Sequence, residues 1–94
     1  MAKSIMQTER KCYICGRRTE LELHHICGAA NRKRSDKDGL MVWLCHNCHN
    51  EPPNGVHHNA AINDQLKAVA QRRWMEHYGK TADDFLKRYG KNYI

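Results

Sequence analysis

The chain has 94 residues, with 16 Lys and Arg against 10 Asp and Glu, a formal net charge of +6. A chain this short buries only about 60 to 65% of its unfolded surface, so the core is thin and a staple is expected. No stretch approaches the roughly 20 apolar residues of a membrane span, Met1 to Gln7 hold no apolar run of a secretory leader, and the basic balance favours polyanionic partners, nucleic acid first. The composition predicts one soluble domain, residues 1–94, in a reducing cytoplasm, where five cysteines serve metals and not disulfides.

Residues 1–11 are polar, with Ile5 and Met6 the sizeable apolar pair, and are expected to form an arm or short strand lying on the core. Cys12-Tyr13-Ile14-Cys15-Gly16 has the form of a zinc knuckle, in which a glycine turns backbone N–H groups toward the sulfurs. From Glu20 to Ile26 the alternation has period two and predicts a strand whose faces carry His24 and His25 in opposite directions. Residues 27–39 are small, polar and basic and read as a loop, with Arg32, Lys33, Arg34 and Lys37 as its positive cluster. Leu40 to Leu44 is apolar and predicts a second, buried strand that delivers Cys45.

Glu51-Pro52-Pro53-Asn54-Gly55 stops any helix. A long helix is predicted over 59–78, because Ile62, Leu66, Val69, Ala70, Trp74 and Tyr78 share one stripe. Asp64, Lys67, Gln71, Arg72 and Glu76 fall off that stripe, and Gly79 is the stop. A second short helix begins at Thr81 with capping-box spacing to Asp84, buries Phe85, Leu86 and Tyr89, and ends at Gly90. Trp43 and Trp74 both lie on apolar stripes and are expected in the core. The fold class is α+β.

Two C-x-x-C pairs, Cys12 with Cys15 and Cys45 with Cys48, match the ligand count of a tetrahedral all-thiolate zinc site. Cys27 is left over as a small buried hydrophobe. Of seven histidines, His24, His25, His46, His49, His57 and His58 lie within or just after the cysteine-bracketed region. With the thiolates on zinc, imidazoles remain for a second, open site of the kind that suits a hydrolytic metal.

On these residues, 12–58 resembles the HNH endonuclease family with its ββα-metal motif. The tail, with Gly55-Val56-His57, a basic helix and Gly90-Lys91-Asn92-Tyr93, is similar to that of compact phage-associated HNH-like proteins. The resemblance implies a zinc-stapled ββα-metal core over 12–58, an arm over 1–11 and a helical part over 59–94. It also implies hydrolysis of DNA phosphodiester bonds in the cytoplasm of a bacterial host. The cofactors would be structural Zn2+ and a catalytic divalent ion (Mg2+, Mn2+, Ni2+ or Zn2+), and the partner double-stranded DNA, with a second copy or a phage protein as a further one.

Carried onto this chain, His25 stands at the general base, His24 at the first ligand of the catalytic metal and His49 at the second. The third ligand of the family lies one helical turn beyond, at Pro53 here, which moves the position to His57 with His58 as the alternative. Where the family has its Asn this chain has Leu40; Asn31 is the stand-in expected to hold the base, and Asp38 the second option. Arg32, Lys33 and Arg34 would grip backbone phosphates, with Lys67, Arg72 and Arg73 exposed on the long helix. The competing reading is a non-catalytic zinc-knuckle module that binds nucleic acid or a protein partner.

Overall fold

The alternating segment forms β1 (Leu21–His25), and the apolar run forms β2 (Met41–Cys45). They pair antiparallel, with Glu22 opposite Leu44, His24 opposite Val42 and His25 opposite Met41. This computed structural model describes residues 3–94. Among these residues the architecture is mixed α/β: a two-stranded antiparallel sheet and four α-helices, the third of them long. Among the described residues no helix is long and apolar enough to cross a membrane.

Two five-residue strands cannot stand alone, and the N-terminal arm closes one edge. Ile5 N donates to the Gly39 carbonyl at 2.9 Å, and Ser4 Oγ donates to the Met41 carbonyl at 2.6 Å. Gln7 Oε1 accepts from Trp43 N at 2.6 Å. The arm thus satisfies the free groups of β2 as a further strand would.

The connection between the strands corrects the expected loop. It holds a 3-10 turn (Ala29–Asn31) and α1 (Arg32–Asp38). Arg-Lys-Arg-Ser-Asp-Lys-Asp has no apolar period, and contacts from outside hold it as a helix. Fully buried Ser35 donates from Oγ to the Leu40 carbonyl at 2.6 Å and accepts from Cys27 N at 3.2 Å. After β2 the chain turns directly into α2 (His46–Asn50).

The helices α3 (Ala60–Tyr78) and α4 (Ala82–Tyr89) agree with their sequence signals. Asn59 Oδ1 caps α3 by accepting from Ile62 N at 3.1 Å, and Thr81 with Asp84 forms the capping box of α4. Leu66, Ala70, Trp74, Phe85 and Tyr89 join Ile26, Val42 and Leu44 in one core. Several side chains depart from expectation. Leu86 and Tyr78 are exposed, and Trp43 lies half-buried on the sheet with the Arg10 guanidinium 4.5 Å above its ring. Gln71, placed off the apolar stripe, is fully buried because it receives the C-terminal segment: its Nε2 donates to Asn92 Oδ1 and its Oε1 accepts from Tyr93 N, each at 2.7 Å.

Buried Asp38 ties α1 to the two C-terminal helices. Its carboxylate accepts from Trp74 Nε1 at 2.8 Å, Tyr89 Oη at 2.7 Å and Arg88 Nη2 at 2.8 Å. It therefore does not hold His25, the second option read from the sequence. Burial opposes its ionisation, but the bonds from Arg88, Tyr89 and Trp74 outweigh burial and hold the carboxyl below the ordinary range. A pKa lower in the folded than in the unfolded chain stabilises the fold above about pH 4, and this contribution is lost as pH falls through the folded value. Asp38→Asn is expected to lower stability at pH 7 by about 2 to 4 kcal/mol and to flatten the acid limb of the stability curve, both read by urea denaturation.

Candidate functional site

The first cluster is made where the knuckle meets the end of β2. Cys45 closes β2, Cys48 follows one turn later in α2, and Cys12 and Cys15 arrive on a turn in which Gly16 takes φ +81°. Tyr13 N donates to the Trp43 carbonyl at 2.8 Å and so fixes the knuckle to the strand. The four sulfurs all lie within 4.8 Å of one another, and Cys15 Sγ and Cys45 Sγ are 3.6 Å apart. A tetrahedral zinc with bonds of about 2.3 Å spaces its sulfurs about 3.8 Å apart.

The electrostatics agree with that geometry. Burial works against ionisation of Cys12, yet backbone N–H groups of Cys15, Cys45 and Ile14 outweigh it and bring the thiol down to about 6. Cys48 is pushed up, by burial first and then by its sulfur neighbours. One negative charge among four sulfurs thus suppresses another, and a divalent cation removes the conflict. The cluster is compatible with structural zinc. Cys27 lies apart from it, buried, its thiol raised to about 11 by burial.

The second cluster gathers His24, His49 and His57, whose ligand nitrogens also lie within 4.8 Å of one another. Each comes from a different segment. His24 projects from the core-facing side of β1, and His49 from the last turn of α2. His57 is delivered by the Pro/Gly loop, which folds back so that Val56 N donates to the Cys48 carbonyl and His57 N to the His49 carbonyl. Gly55 permits this return, since a Cβ there would stand 2.7 Å from the backbone of Glu51. His58 and Pro53 are outside the cluster, so of the two candidates His57 is the one brought in.

The donor set fits a metal. Among the described residues His24 Nε2 is buried with no hydrogen-bond partner, and His49 Nε2 and His57 Nε2 are 3.0 Å apart. Glu22 Oε1 accepts from His49 Nδ1 at 2.7 Å, which keeps the proton on Nδ1 and leaves Nε2 as a lone pair. Burial, followed by the charges of His49, His57, His25 and Lys67, takes His24 down to about 3, so it stays in the neutral, ligating form. Three imidazole nitrogens suit zinc, nickel and similar borderline ions more than magnesium.

His25 leaves β1 on the opposite side and is held by Asp36 of α1, with Nε2 3.1 Å from Oδ1. This corrects the role expected of Asn31, which is engaged elsewhere: its Nδ2 donates to the Tyr89 carbonyl at 2.9 Å, and its Oδ1 accepts from Arg34. A cleft of about 290 Å³ runs over His24, His25, His49 and His57 with Arg32 at its margin, and Lys33 with Arg32 lines the adjoining hollow beside His25 and Asp36. Arg34 turns away toward Asn31. Lys67, expected on the exposed face of α3, is half-buried and borders the cleft.

Sequence reading missed Glu22 and Asp36. Glu22 shares a strand face with His24 by period two, a signal that was present; Asp36 is placed only by the unpredicted α1. Cys12→Ser is expected to lose zinc and the folded state together, seen as a loss of bound zinc by elemental analysis and of helical circular dichroism. Comparison of the chain with protein-family models, with curated proteins and with solved structures finds no match.

Proposed function

We propose that this chain is a metal-dependent endonuclease of the HNH type that hydrolyses DNA phosphodiester bonds. The observation that carries the reading is the pairing, across one strand, of a three-imidazole cluster around the orphaned His24 Nε2 with a carboxylate-held imidazole, His25, in one cleft. A divalent ion on His24, His49 and His57 would supply Lewis-acid stabilisation of the charge that develops on phosphate oxygens.

The remaining work falls to side chains. With Nε2–H donated to Asp36, His25 presents Nδ1 as the acceptor, which takes a proton from water for attack on phosphorus. Arg32 and Lys33 at the margin hold backbone phosphates through charge without reading bases, so affinity falls as salt rises.

A second reading, a zinc module that binds nucleic acid or protein without cutting, is favoured by one observation. Asn31 is committed to Tyr89, so His25 lacks the amide partner that the family resemblance implies. Metal stoichiometry and cleavage separate the two. His24→Ala is expected to keep one zinc per chain and lose a second metal equivalent, measured by elemental analysis after dialysis. Supercoiled plasmid with Mg2+, Mn2+, Ni2+ or Zn2+ is expected to be nicked by the parent. His25→Ala should fold, keep its metals and nick at least about a hundredfold more slowly. Equal rates would remove His25 as the base, and an inert parent that holds both metals would favour the module.

A further inference from the structure

The cleft has a second lobe, of about 270 Å³, that extends past His24, His25 and His57 to Asn63 and Lys67 of α3. These two residues are one helical turn apart, so their side chains leave the helix on the same face, beside the face that sends Leu66 and Ala70 into the core. Lys67 is half-buried and makes no ion pair among the described residues; its ammonium lies 5.3 Å from the Tyr93 ring. Neither lobe is lined by a carboxylate. Asn63 Oδ1 is buried with no hydrogen-bond partner, and among the described residues the other such side-chain atom is His24 Nε2, in the same cleft.

An ammonium and a guanidinium at the two ends of a cleft built to hold a dication repel one another and the ion. At the Arg32 end solvent and Asp36 of the adjoining hollow screen that repulsion; at the Lys67 end no carboxylate lines the lobe. A buried amide oxygen without a donor adds a desolvation cost until water or a ligand supplies one. A hydrated phosphate answers both demands, its charge offsetting the cations and its water donating to the amide oxygen.

We infer that Asn63 and Lys67 form a phosphate subsite on α3, in which Lys67 donates to a non-bridging oxygen and Asn63 Oδ1 accepts from a water that bridges to the same group. The subsite rests on the phosphodiester reading for its natural ligand, a phosphate of the bound strand on the side away from Arg32. Lys67 then differs in kind from Arg72 and Arg73, which sit on the exposed face of the same helix.

The test uses the full chain loaded with zinc, uniformly labelled with 15N, as parent, Lys67→Met, Asn63→Ala and the outer-face control Arg72→Met. Lys67→Met keeps an apolar stem against the helix while removing the charge. Titration with inorganic phosphate should move the Asn63 side-chain amide signal in the parent. Lys67→Met should weaken binding at least about tenfold, the value of one charge-assisted contact, and Arg72→Met should leave it unchanged. With a short DNA duplex, Lys67→Met should weaken binding at low salt and lower the slope of log K against log salt by about one. If phosphate leaves the Asn63 signal in place, or binds Lys67→Met as tightly as the parent, the subsite is overturned even if plasmid is cut. If phosphate binds through Lys67 but the duplex neither binds nor is cut, the subsite stands and the endonuclease reading falls.

Discussion

Four sulfur atoms within 4.8 Å of one another, with Cys12 drawn toward the thiolate and Cys48 held back from it, stay together at neutral pH when a cation shares their charge. The rest of the structure hangs on that constraint. The knuckle, the end of β2 and the start of α2 meet there, and β1 and β2 are too short to specify themselves. A structural zinc contributes about 10 to 16 kcal/mol, as much as the whole net stability of an ordinary small domain, about 5 to 15 kcal/mol. The apolar core takes in Cys12 and Cys45, with Tyr13 packed against it, and so joins the knuckle to Trp74 and Phe85, while the Asp38 hub ties the helices to one another.

The imidazole cluster inherits its precision from this clamp. Strand alternation separates His24 from His25, α2 carries His49, and the glycine-permitted return of the loop adds His57. Carboxylates stand behind both kinds of imidazole, Glu22 behind His49 and Asp36 behind His25. Neither lines the cleft of the three histidines.

Much of this was legible in the sequence because its signals were local. Period two told His24 from His25, C-x-x-C spacing marked the thiol cluster, and Asn59, Thr81, Gly79 and Gly90 bounded the last two helices. What escaped depended on contacts between distant residues. The basic segment 32–38 has no amphipathic period, and its helix depends on Ser35 and Asp38 reaching Leu40 and Trp74. Once that helix is unseen, Asp36 cannot be placed beside His25, and Asn31 becomes the nearest amide to suggest. Gln71 and Lys67 were assigned to solvent by their polarity, although one is wanted by the C-terminal segment and the other borders the cleft. Tertiary demand overrides residue type most often for polar groups with a buried partner to satisfy.

Cys48 and His49 are consecutive residues of one helical turn, the first a member of the thiol cluster and the second of the imidazole cluster. Seating the sulfur therefore aims the ring, and the entropy of fixing α2 is lost once for both. Two metal sites that share a rigid element are thermodynamically linked, and by reciprocity each raises the affinity of the other by the same factor. The consequence, were both clusters to take an ion, would be an order of assembly: the thiolates, with the deeper well, would load first and organise α2, and the imidazoles would then meet their ion as a preformed cup.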